Sequence, residues 1–293
     1  MKLKSSSIIN LPSFIFQIYD VENLNIFKKV YVLFLGKLSQ IVIKRLNNVT
    51  FCRMMNLLFG KHSQIKFDKD SQSYFKNVDK ELNIYYPNKR ITRTLQKNTV
   101  NLFDTLFKTY CLDEIEFSDG DTIVDCGANV GELNFSFYYK KININYIGIE
   151  PDIETFLCLE KNKIRLEDTI HNFALSDELG KRDLYLDSLG GNSSLEYFGI
   201  ETKQTTEIKT LDSLDIKNKI KLFKVEAEGH EPEVLKGSVS SFKNIDYISV
   251  DFGYERGIDQ DSTIKSVNEI LTKNNFSLIN LSQYRLIGLY KHN

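Results

Sequence analysis

The stretch DTIVDCGANVGELNFSFYY, residues 121–139, decides how the larger part of the chain folds. Its apolar beginning predicts a buried strand, and the residues after Gly131 predict a helix. Gly127 can adopt a left-handed turn and lets the backbone approach a ligand closely, while Gly131 lets the helix begin tightly against the strand. The stretch therefore predicts a strand, a tight turn and a helix, as in the opening unit of an α/β sheet.

Short β-rich runs alternate with helical patterns from about residue 120 onward, which predicts a mostly parallel, Rossmann-like sheet covered by helices. The seven predicted strands span residues 121–126, 144–150, 169–175, 221–227, 246–252, 276–281 and 285–290, and the predicted helices between them span residues 130–140, 153–165, 232–242 and 262–274. The last two strands are too close in sequence for a helical crossover. We therefore expect them to form an antiparallel hairpin at one end of the sheet.

Residues 178–212 interrupt this alternation. Turn residues at Gly180, Gly190, Gly191 and Asn192 separate alternating segments, which predicts a β-hairpin inserted between the third and fourth strands. Such an insertion lies over the carboxyl ends of the strands, where open α/β sheets bind ligands.

The charge beside the glycine turn distinguishes between cofactors. A dinucleotide site favours the pattern G-x-G-x-x-G, because a pyrophosphate binds at the helix N-terminus. Asp125 stands in place of the first glycine, and its carboxylate would repel a phosphate. The run formed by Asp125, Gly127 and Gly131 resembles the first motif of class I S-adenosylmethionine (SAM) dependent methyltransferases. SAM carries a cationic ammonium and a cationic sulfonium, which an acid beside the turn can attract. The pattern therefore favours SAM and disfavours an NAD-linked oxidoreductase.

The second and third predicted strands add residues to this cofactor site. Glu150 ends the second strand 25 positions after the aspartate of the first motif, close to the offset of roughly 20 residues at which an acid binds ribose hydroxyls. Asn129 in the turn and Pro151 beside Glu150 belong to the same predicted site. Ala174 and Ser176, near the end of the third strand, are expected to line the adenine side.

Six motifs follow one another in the order and spacing of the FkbM-type methyltransferases, which the region from about residue 83 to 253 resembles. These motifs are GDTIVDCGANVGE (120–132), IGIEPD (147–152), FALSDELG (173–180), GGNSSL (190–195), KTLDSL (209–214) and FKVEAEGHEPEVLKG (223–237). The first and the last of them are the most specific. Residues 84–96 and 248–257 are also similar to stretches seen in some members of the family.

This resemblance implies a class I methyltransferase fold and a SAM-dependent O-methyltransferase activity. It also implies a sugar or polyketide-type hydroxyl as acceptor, commonly in the biosynthesis of bacterial surface polysaccharide or natural products. Glu226 departs from the family pattern, which usually has aspartate at that position. We therefore expect SAM as cofactor and, as partner, a small-molecule or glycan acceptor with a free hydroxyl.

Catalytic candidates follow the fourth strand. An alcohol loses its proton as it attacks the methyl group, so a general base near the acceptor oxygen should help. Glu226 and Glu228 lie on one side of the backbone if the strand continues that far, and His230 has an ordinary pKa that suits a base at neutral pH. Glu231 and Glu233 flank a proline at a helix start, where the helix dipole favours negative charge, so we assign them to the helix.

Two further interpretations concern the same edge of the sheet. Two acids and a histidine can bind a divalent cation, but we predict no metal site. Asp251 at the end of the fifth strand could bind acceptor hydroxyls together with Tyr254, Glu255 or Arg256. A structural ion pair between Arg256 and one of these acids is an equal alternative.

The two parts of the chain differ in charge. Residues 1–100 contain 17 Lys and Arg against 6 Asp and Glu, a net charge of +11. Subtracting these from the totals of 38 and 39 leaves 21 against 33, or −12, for residues 101–293. We predict a basic, mainly helical N-terminal extension over residues 1–95 and a methyltransferase domain over residues 96–293.

The stretch FKKVYVLFLGKLSQIVIKRL, residues 27–46, carries apolar residues at helical spacing, which predicts an amphipathic helix. Basic residues lie between the apolar ones, at Lys28, Lys29, Lys37, Lys44 and Arg45. The helix either packs its apolar face on the main domain, or docks on an anionic membrane surface or a lipid-linked substrate.

Composition limits the remaining possibilities. The four cysteines stand far apart with no CxxC pair, which argues against a disulfide scaffold or a zinc ribbon and favours a reducing compartment. We expect a cytoplasmic location, with peripheral contact at the inner face of the membrane as an alternative. The net acidic catalytic part argues against nucleic acid as acceptor. A second functional class stays open, a non-catalytic module that keeps the fold and binds an anionic glycan, lipid or partner enzyme through the basic first third.

Overall fold

A computed structural model describes residues 11–79, 82–187 and 192–293. The chain divides into two compact units between Leu102 and Phe103. This division lies later in the chain than the boundary predicted between residues 95 and 96, and that boundary stays a prediction.

The described part of the first unit contains three α-helices followed by a small antiparallel sheet. The helices are α1 (Phe14–Ile18), α2 (Ile26–Arg45) and α3 (Asn48–Phe59), and the strands are β1 (Ile65–Asp68), β2 (Ser73–Asn77) and β3 (Asn83–Tyr86). Helix α2 agrees with the predicted amphipathic helix, and Asn25 caps it by accepting a hydrogen bond from the backbone N–H of Lys28 at 3.0 Å. The β1–β3 sheet was not predicted, because strands this short carry little periodicity.

The second unit alternates strands and helices as the sequence predicts. Its helices are α4 (Val100–Thr109), α5 (Glu132–Tyr139), α6 (Ile153–Lys161), α7 (Glu231–Lys236) and α8 (Ile264–Lys273). Its strands are β4 (Thr122–Cys126), β5 (Asn145–Ile149), β6 (Thr169–His171), β7 (Ala174–Leu175), β8 (Gly180–Asp187), β9 (Asn192–Ser194), β10 (Lys203–Lys209), β11 (Ile220–Val225), β12 (Ile245–Asp251), β13 (Tyr254–Arg256), β14 (Asp261–Ser262), β15 (Phe276–Leu281) and β16 (Ile287–His292).

Seven strands form the large sheet, in the order β15–β16–β12–β11–β4–β5–β6. Strand β16 runs antiparallel to both of its neighbours, and all other neighbouring strands in this sheet are parallel. This confirms the predicted Rossmann-like class I methyltransferase fold with its terminal antiparallel hairpin. The chain reverses its direction of travel across the sheet between β4 and β11. Their carboxyl ends therefore meet at the switch point where open α/β sheets bind ligands.

Strand β4 is buried along its whole length because residues pack on both of its faces. Val124 packs on one face in a cluster with Val225 and Ile248, and Ile123 packs on the other with Leu222. A strand covered on both faces has a nearly continuous apolar sequence, which is the pattern seen in TIVDC.

The third predicted strand, residues 169–175, is divided between two sheets. Its first part is β6 in the large sheet, and its last part, β7, pairs with β10 in a separate sheet of order β7–β10–β8–β9. Strands β8 and β10 pair antiparallel and form the predicted insertion, with β9 at its edge. The predicted turn residues Gly190 and Gly191 lie outside the described residues.

The fourth strand ends earlier than predicted. Strand β11 stops at Val225, and the backbone then turns, with left-handed φ angles of +49° at Glu228 and +95° at Gly229. The strand therefore does not continue far enough to place Glu226 and Glu228 on one side of its backbone. Both residues lie in the turn between β11 and α7, which we call the second turn (residues 226–230).

Candidate active site

The glycine turn, residues 127–131, joins β4 to α5 and has the backbone that its sequence predicts. Gly127 has a φ angle of +71°, and a Cβ atom built on it would lie only 2.0 Å from the carbonyl oxygen of Glu226. Gly131 has a φ angle of +85° at the start of α5. Side chains are excluded at Gly127 both by the backbone conformation and by this contact. The glycine turn therefore lies directly against the second turn.

Glu150 links the glycine turn to the carboxyl end of β5. Its Oε2 accepts a hydrogen bond from the backbone N–H of Asn129 at 2.8 Å, and its Oε1 accepts one from Asp152 at 3.0 Å. Burial raises the pKa of Glu150 to about 7. The carbonyl oxygen of the next residue, Pro151, accepts a hydrogen bond from Gln204 of β10 at 2.8 Å. These residues lie together beside the turn, as the sequence predicted.

Asp125 is enclosed by the protein. Its Oδ2 accepts a hydrogen bond from the Tyr146 hydroxyl at 2.7 Å, and its Oδ1 lies 3.0 Å from the ammonium of Lys224. The expectation that this carboxylate faces a cationic ligand directly is therefore corrected. The carboxylate is paired with the buried ammonium of Lys224, so it does not present an uncompensated negative charge beside the glycine turn.

Lys224 on β11 joins the two turns. Its ammonium donates hydrogen bonds to the carbonyl oxygens of Cys126 and Gly127 at 3.1 and 2.7 Å, and lies 3.2 Å from Glu226 Oε2. Burial disfavours the ammonium, but the carboxylates of Asp125 and Glu226 outweigh burial and raise the pKa of Lys224 well above its usual value. Lys224 therefore remains charged and holds the carboxyl ends of β4 and β11 together.

Glu226 is held as a carboxylate by three donors. Tyr110 donates a hydrogen bond to its Oε2, and Arg285 donates one to its Oε1 at 2.8 Å. Burial alone would raise the pKa of Glu226, but Lys224 and Arg285 lower it well below its usual range. Such a carboxylate is a poor proton acceptor at neutral pH, so the prediction of Glu226 as general base is corrected to an anchoring role.

Three carboxylates surround Arg285, which lies in the connection between β15 and β16. Its guanidinium contacts Glu226, lies 2.6 Å from Asp251 Oδ2, and donates to Glu255 Oε1 at 3.2 Å. We call Arg285, Glu226, Asp251 and Glu255 the Arg285 cluster. Burial and the charge of Glu226 raise the pKa of Asp251 to about 7, and burial raises that of Glu255. In this cluster Glu226 is held ionised, whereas Asp251 and Glu255 bind a proton more readily than an ordinary carboxylate does.

The buried side chain of Glu231 holds the backbone of the second turn in place. Its Oε1 accepts hydrogen bonds from the backbone N–H groups of Ala227 and Gly229, both at 3.0 Å, and its Oε2 accepts one from the Thr263 hydroxyl at 3.0 Å. Glu231 is the first residue of α7, in agreement with its assignment to the helix start, and its side chain is buried. The carbonyl oxygen of Glu228 accepts a hydrogen bond from the Ser194 hydroxyl at 2.7 Å, so β9 is tied to the same turn.

His230 is buried, with both ring nitrogens in contact with other side chains. Its Nδ1 lies 2.8 Å from Glu196 Oε1, and its Nε2 lies 3.0 Å from the Ser176 hydroxyl. The predicted role of His230 as general base is therefore corrected, because both ring nitrogens already contact side chains and neither is open to the hydroxyl of a methyl acceptor. Ser176 is itself fully buried and Ala174 lies in β7. That these two residues line the adenine side stays a prediction.

One group of side chains has the composition of a metal site. The ligand atoms of Glu196, His230 and Glu233 lie within 4.8 Å of one another. Arg256 already supplies positive charge to both acids, at 2.8 Å from Glu233 and 3.6 Å from Glu196. The alternative that Arg256 pairs with Asp251 or Glu255 is therefore wrong, because Arg256 pairs with Glu233 and Glu196 instead.

Four residues of the site were not predicted: Tyr110, Tyr146, Lys224 and Arg285. The sequence does contain a signal for Lys224. A lysine within an otherwise apolar strand must be paired when it is buried, so its position indicates a buried partner. Tyr110 and Arg285 come from segments remote in sequence, 116 and 59 residues from Glu226, and no local pattern marks them.

A family profile and a related protein both indicate methyl transfer. The profile of the family described as "Methyltransferase FkbM domain" matches residues 125–278. The chain is 24% identical over 180 residues to "Hexuronic acid methyltransferase AglP" of Haloferax volcanii, covering 59% of this chain and 72% of that protein.

Solved structures with a similar fold include a SAM-dependent methyltransferase from Aquifex aeolicus, at 14% identity and a TM-score of 0.38, covering 66% of this chain and 97% of that one. A second is the precorrin-6y C5,15-methyltransferase from Geobacter metallireducens, at 10% identity and a TM-score of 0.39, covering 64% and 87%.

Proposed function

The chain is a methyltransferase that belongs to the FkbM methyltransferase domain family, and we propose that it transfers a methyl group from SAM to a hydroxyl group of a sugar or glycan acceptor. The observation that carries this proposal is the direct contact between the glycine turn and the second turn, at Gly127 and Glu226. In-line transfer requires donor and acceptor to be held close and aligned. Two adjoining turns at a switch point suit that requirement.

The residues around the glycine turn fit SAM. When bound, SAM supplies a methyl group that its sulfonium has already activated. Gly127 adopts a left-handed turn without a side chain, and Glu150 presents a carboxylate at the adjoining strand end. A carboxylate has about four acceptor positions, and backbone N–H groups use two of them. The remaining positions suit the two ribose hydroxyls.

Glu255 is the proton acceptor in this proposal. Its Oε1 is held by Arg285, while its buried Oε2 has no hydrogen-bond partner in the described part of the chain. The Glu255 side chain as a whole is 25% exposed, whereas that of Asp251 is 1% exposed. We therefore assign proton acceptance to Glu255, the more exposed of the two acids, and a positioning role through Arg285 to Asp251.

A sugar acceptor is supported by two further observations. The Arg285 cluster offers several carboxylate oxygens that can accept hydrogen bonds from neighbouring hydroxyls, together with a guanidinium donor. The related AglP is named as a hexuronic acid methyltransferase, which favours a sugar over a polyketide. We propose biosynthesis of a bacterial surface polysaccharide or related natural product as the setting.

The test is methyl transfer from SAM with a deuterium-labelled methyl group to a panel of neutral sugars, hexuronic acids and host surface glycans. We expect mass spectrometry to find the label on one oxygen of one acceptor class, and the host glycans to lack that methyl group when the protein is removed. Binding of SAM without transfer to any acceptor would instead support the non-catalytic module.

A further inference from the structure

Helix α2 has two apolar faces, and in the described part of the chain only one of them is buried. Val32, Leu35, Gly36, Ser39 and Val42 are buried. A second row of large apolar side chains lies on a different side of the helix and is exposed. We call it the α2 stripe, and it consists of Ile26, Phe27, Val30, Tyr31, Phe34 and Ile41.

The α2 stripe is continuous along the helix. Its members recur at spacings of three, four and seven residues, which places them on one side of a helix with 3.6 residues per turn. Phe27 is 84% exposed, Phe34 63% and Val30 59%. Single exposed apolar residues are common on protein surfaces, but a contiguous row of aromatic and branched side chains marks an interaction surface.

The charge of the helix identifies the kind of partner. Residues 26–45 contain five basic residues and no acidic residue. At 3.6 residues per turn, Lys37, Lys44 and Arg45 lie on the same side of the helix as the stripe, whereas Lys28 and Lys29 lie beyond its two borders. An apolar surface with cations among and beside its side chains is complementary to a bilayer surface, where acyl chains lie beneath anionic headgroups.

We propose that the α2 stripe docks on the surface of a membrane that contains anionic lipids. Phe27, Val30 and Phe34 enter the boundary between headgroups and acyl chains, and the basic residues contact lipid phosphates. None of the helices in the described ranges is long and apolar enough to cross a bilayer, so the contact is interfacial. A second copy of the chain is disfavoured as partner, because pairing two such helices brings like charges together without an acid to balance them.

The helix is ready for this contact without further folding. Asn25 caps its first turn, and its buried side packs within the first unit. Docking therefore does not require the ordering of an unfolded segment, which would reduce the affinity. This inference is independent of the proposed function, because it rests on residues outside the candidate active site.

The test is co-sedimentation of the full chain with vesicles of phosphatidylcholine alone and of phosphatidylcholine mixed with phosphatidylglycerol. We expect the chain to sediment with the anionic vesicles and to be released by high salt, since the basic residues contribute to binding. The double variant Phe27→Ser, Phe34→Ser should bind at least about tenfold more weakly, because two buried aromatic side chains are lost.

Leu166→Ser is the matched control. Leu166 is 99% exposed in the second unit, so this variant should bind vesicles like the unchanged chain. Equal binding by the double variant, or no binding of the unchanged chain to anionic vesicles, would overturn the proposal. It would also be overturned if light scattering found a dimer of the unchanged chain that the double variant converts to a monomer, since the stripe would then be a contact between copies.

Discussion

Lys224 is the residue on which both halves of the candidate active site depend. It is buried between Asp125 and Glu226, at 3.0 and 3.2 Å, and it donates to the carbonyl oxygen of Gly127. Removal of the ammonium would leave two enclosed carboxylates without their cation, a loss of about 3–5 kcal/mol for a buried pair. Because Lys224 and Arg285 keep Glu226 ionised, proton exchange is left to Asp251, whose pKa is raised to about 7, and to Glu255, whose pKa burial also raises.

The charge of Glu150 should control SAM affinity. Its pKa is raised to about 7, so it is mostly ionised above that pH and mostly protonated below it. Only the carboxylate accepts both ribose hydroxyls fully, so the dissociation constant for SAM should rise about tenfold between pH 8 and pH 6. Glu150→Gln should bind SAM weakly and lose this pH dependence. The control Glu154→Gln changes an exposed acid nearby and should keep the dependence.

Glu255→Gln should lower kcat by about 10²-fold or more while SAM still binds, because the variant cannot accept the acceptor proton. The unchanged enzyme should lose activity as pH falls through the raised pKa of Glu255, since the ionised form is the base.

Asp251→Asn removes a negative charge next to Glu255, so it should lower the pKa of Glu255 and move the acid limb of the kcat profile to lower pH. An unchanged acid limb in Asp251→Asn and a normal kcat in Glu255→Gln would contradict these roles.

At the scale of elements, the site is built from the turns that end two neighbouring parallel strands. The glycine turn ends β4 and the second turn ends β11, and each contains left-handed residues that a regular strand would not allow. Glu231 holds the second turn from inside through two backbone N–H groups. The close approach of Gly127 to Glu226 therefore fixes how the two turns meet.

Gly127→Ala tests this contact against a matched control. Gly257 has a φ angle of +69°, close to the +71° of Gly127, but nothing lies within 4 Å of a Cβ built on it. Both alanine variants should lose about 1–2 kcal/mol of unfolding free energy from backbone strain. Gly127→Ala should lose at least about 2 kcal/mol more in urea unfolding, because its Cβ meets the Glu226 carbonyl, and it should also lose SAM binding. Equal losses would indicate that the contact is unimportant.

The elements near the glycine turn could be predicted because their signals are local. Gly127, Gly131 and Glu150 occupy the predicted positions, since strand, turn and helix each depend on neighbouring residues. The side chains that contact His230 could not be predicted from neighbouring residues. Its partners Ser176 and Glu196 lie 54 and 34 residues away, and only the folded insertion brings them to the imidazole.

At the scale of the whole molecule, the two compact units carry opposite charge. The basic first hundred residues include α2 with its exposed stripe, and the acidic remainder holds the Arg285 cluster. The fold of the second unit could be predicted from the regular alternation of strands and helices. The β1–β3 sheet and the residues that surround Arg285 could not, because they depend on contacts between segments without a periodic pattern of their own.

The central claim, that this methyltransferase uses SAM, is tested most directly by equilibrium dialysis of the purified full chain against isotope-labelled SAM at about pH 8, where Glu150 is ionised. We predict a single saturable site that Glu150→Gln weakens and Glu154→Gln leaves unchanged. Failure of the folded chain to retain SAM at millimolar concentration, with folding verified by circular dichroism, would contradict the account.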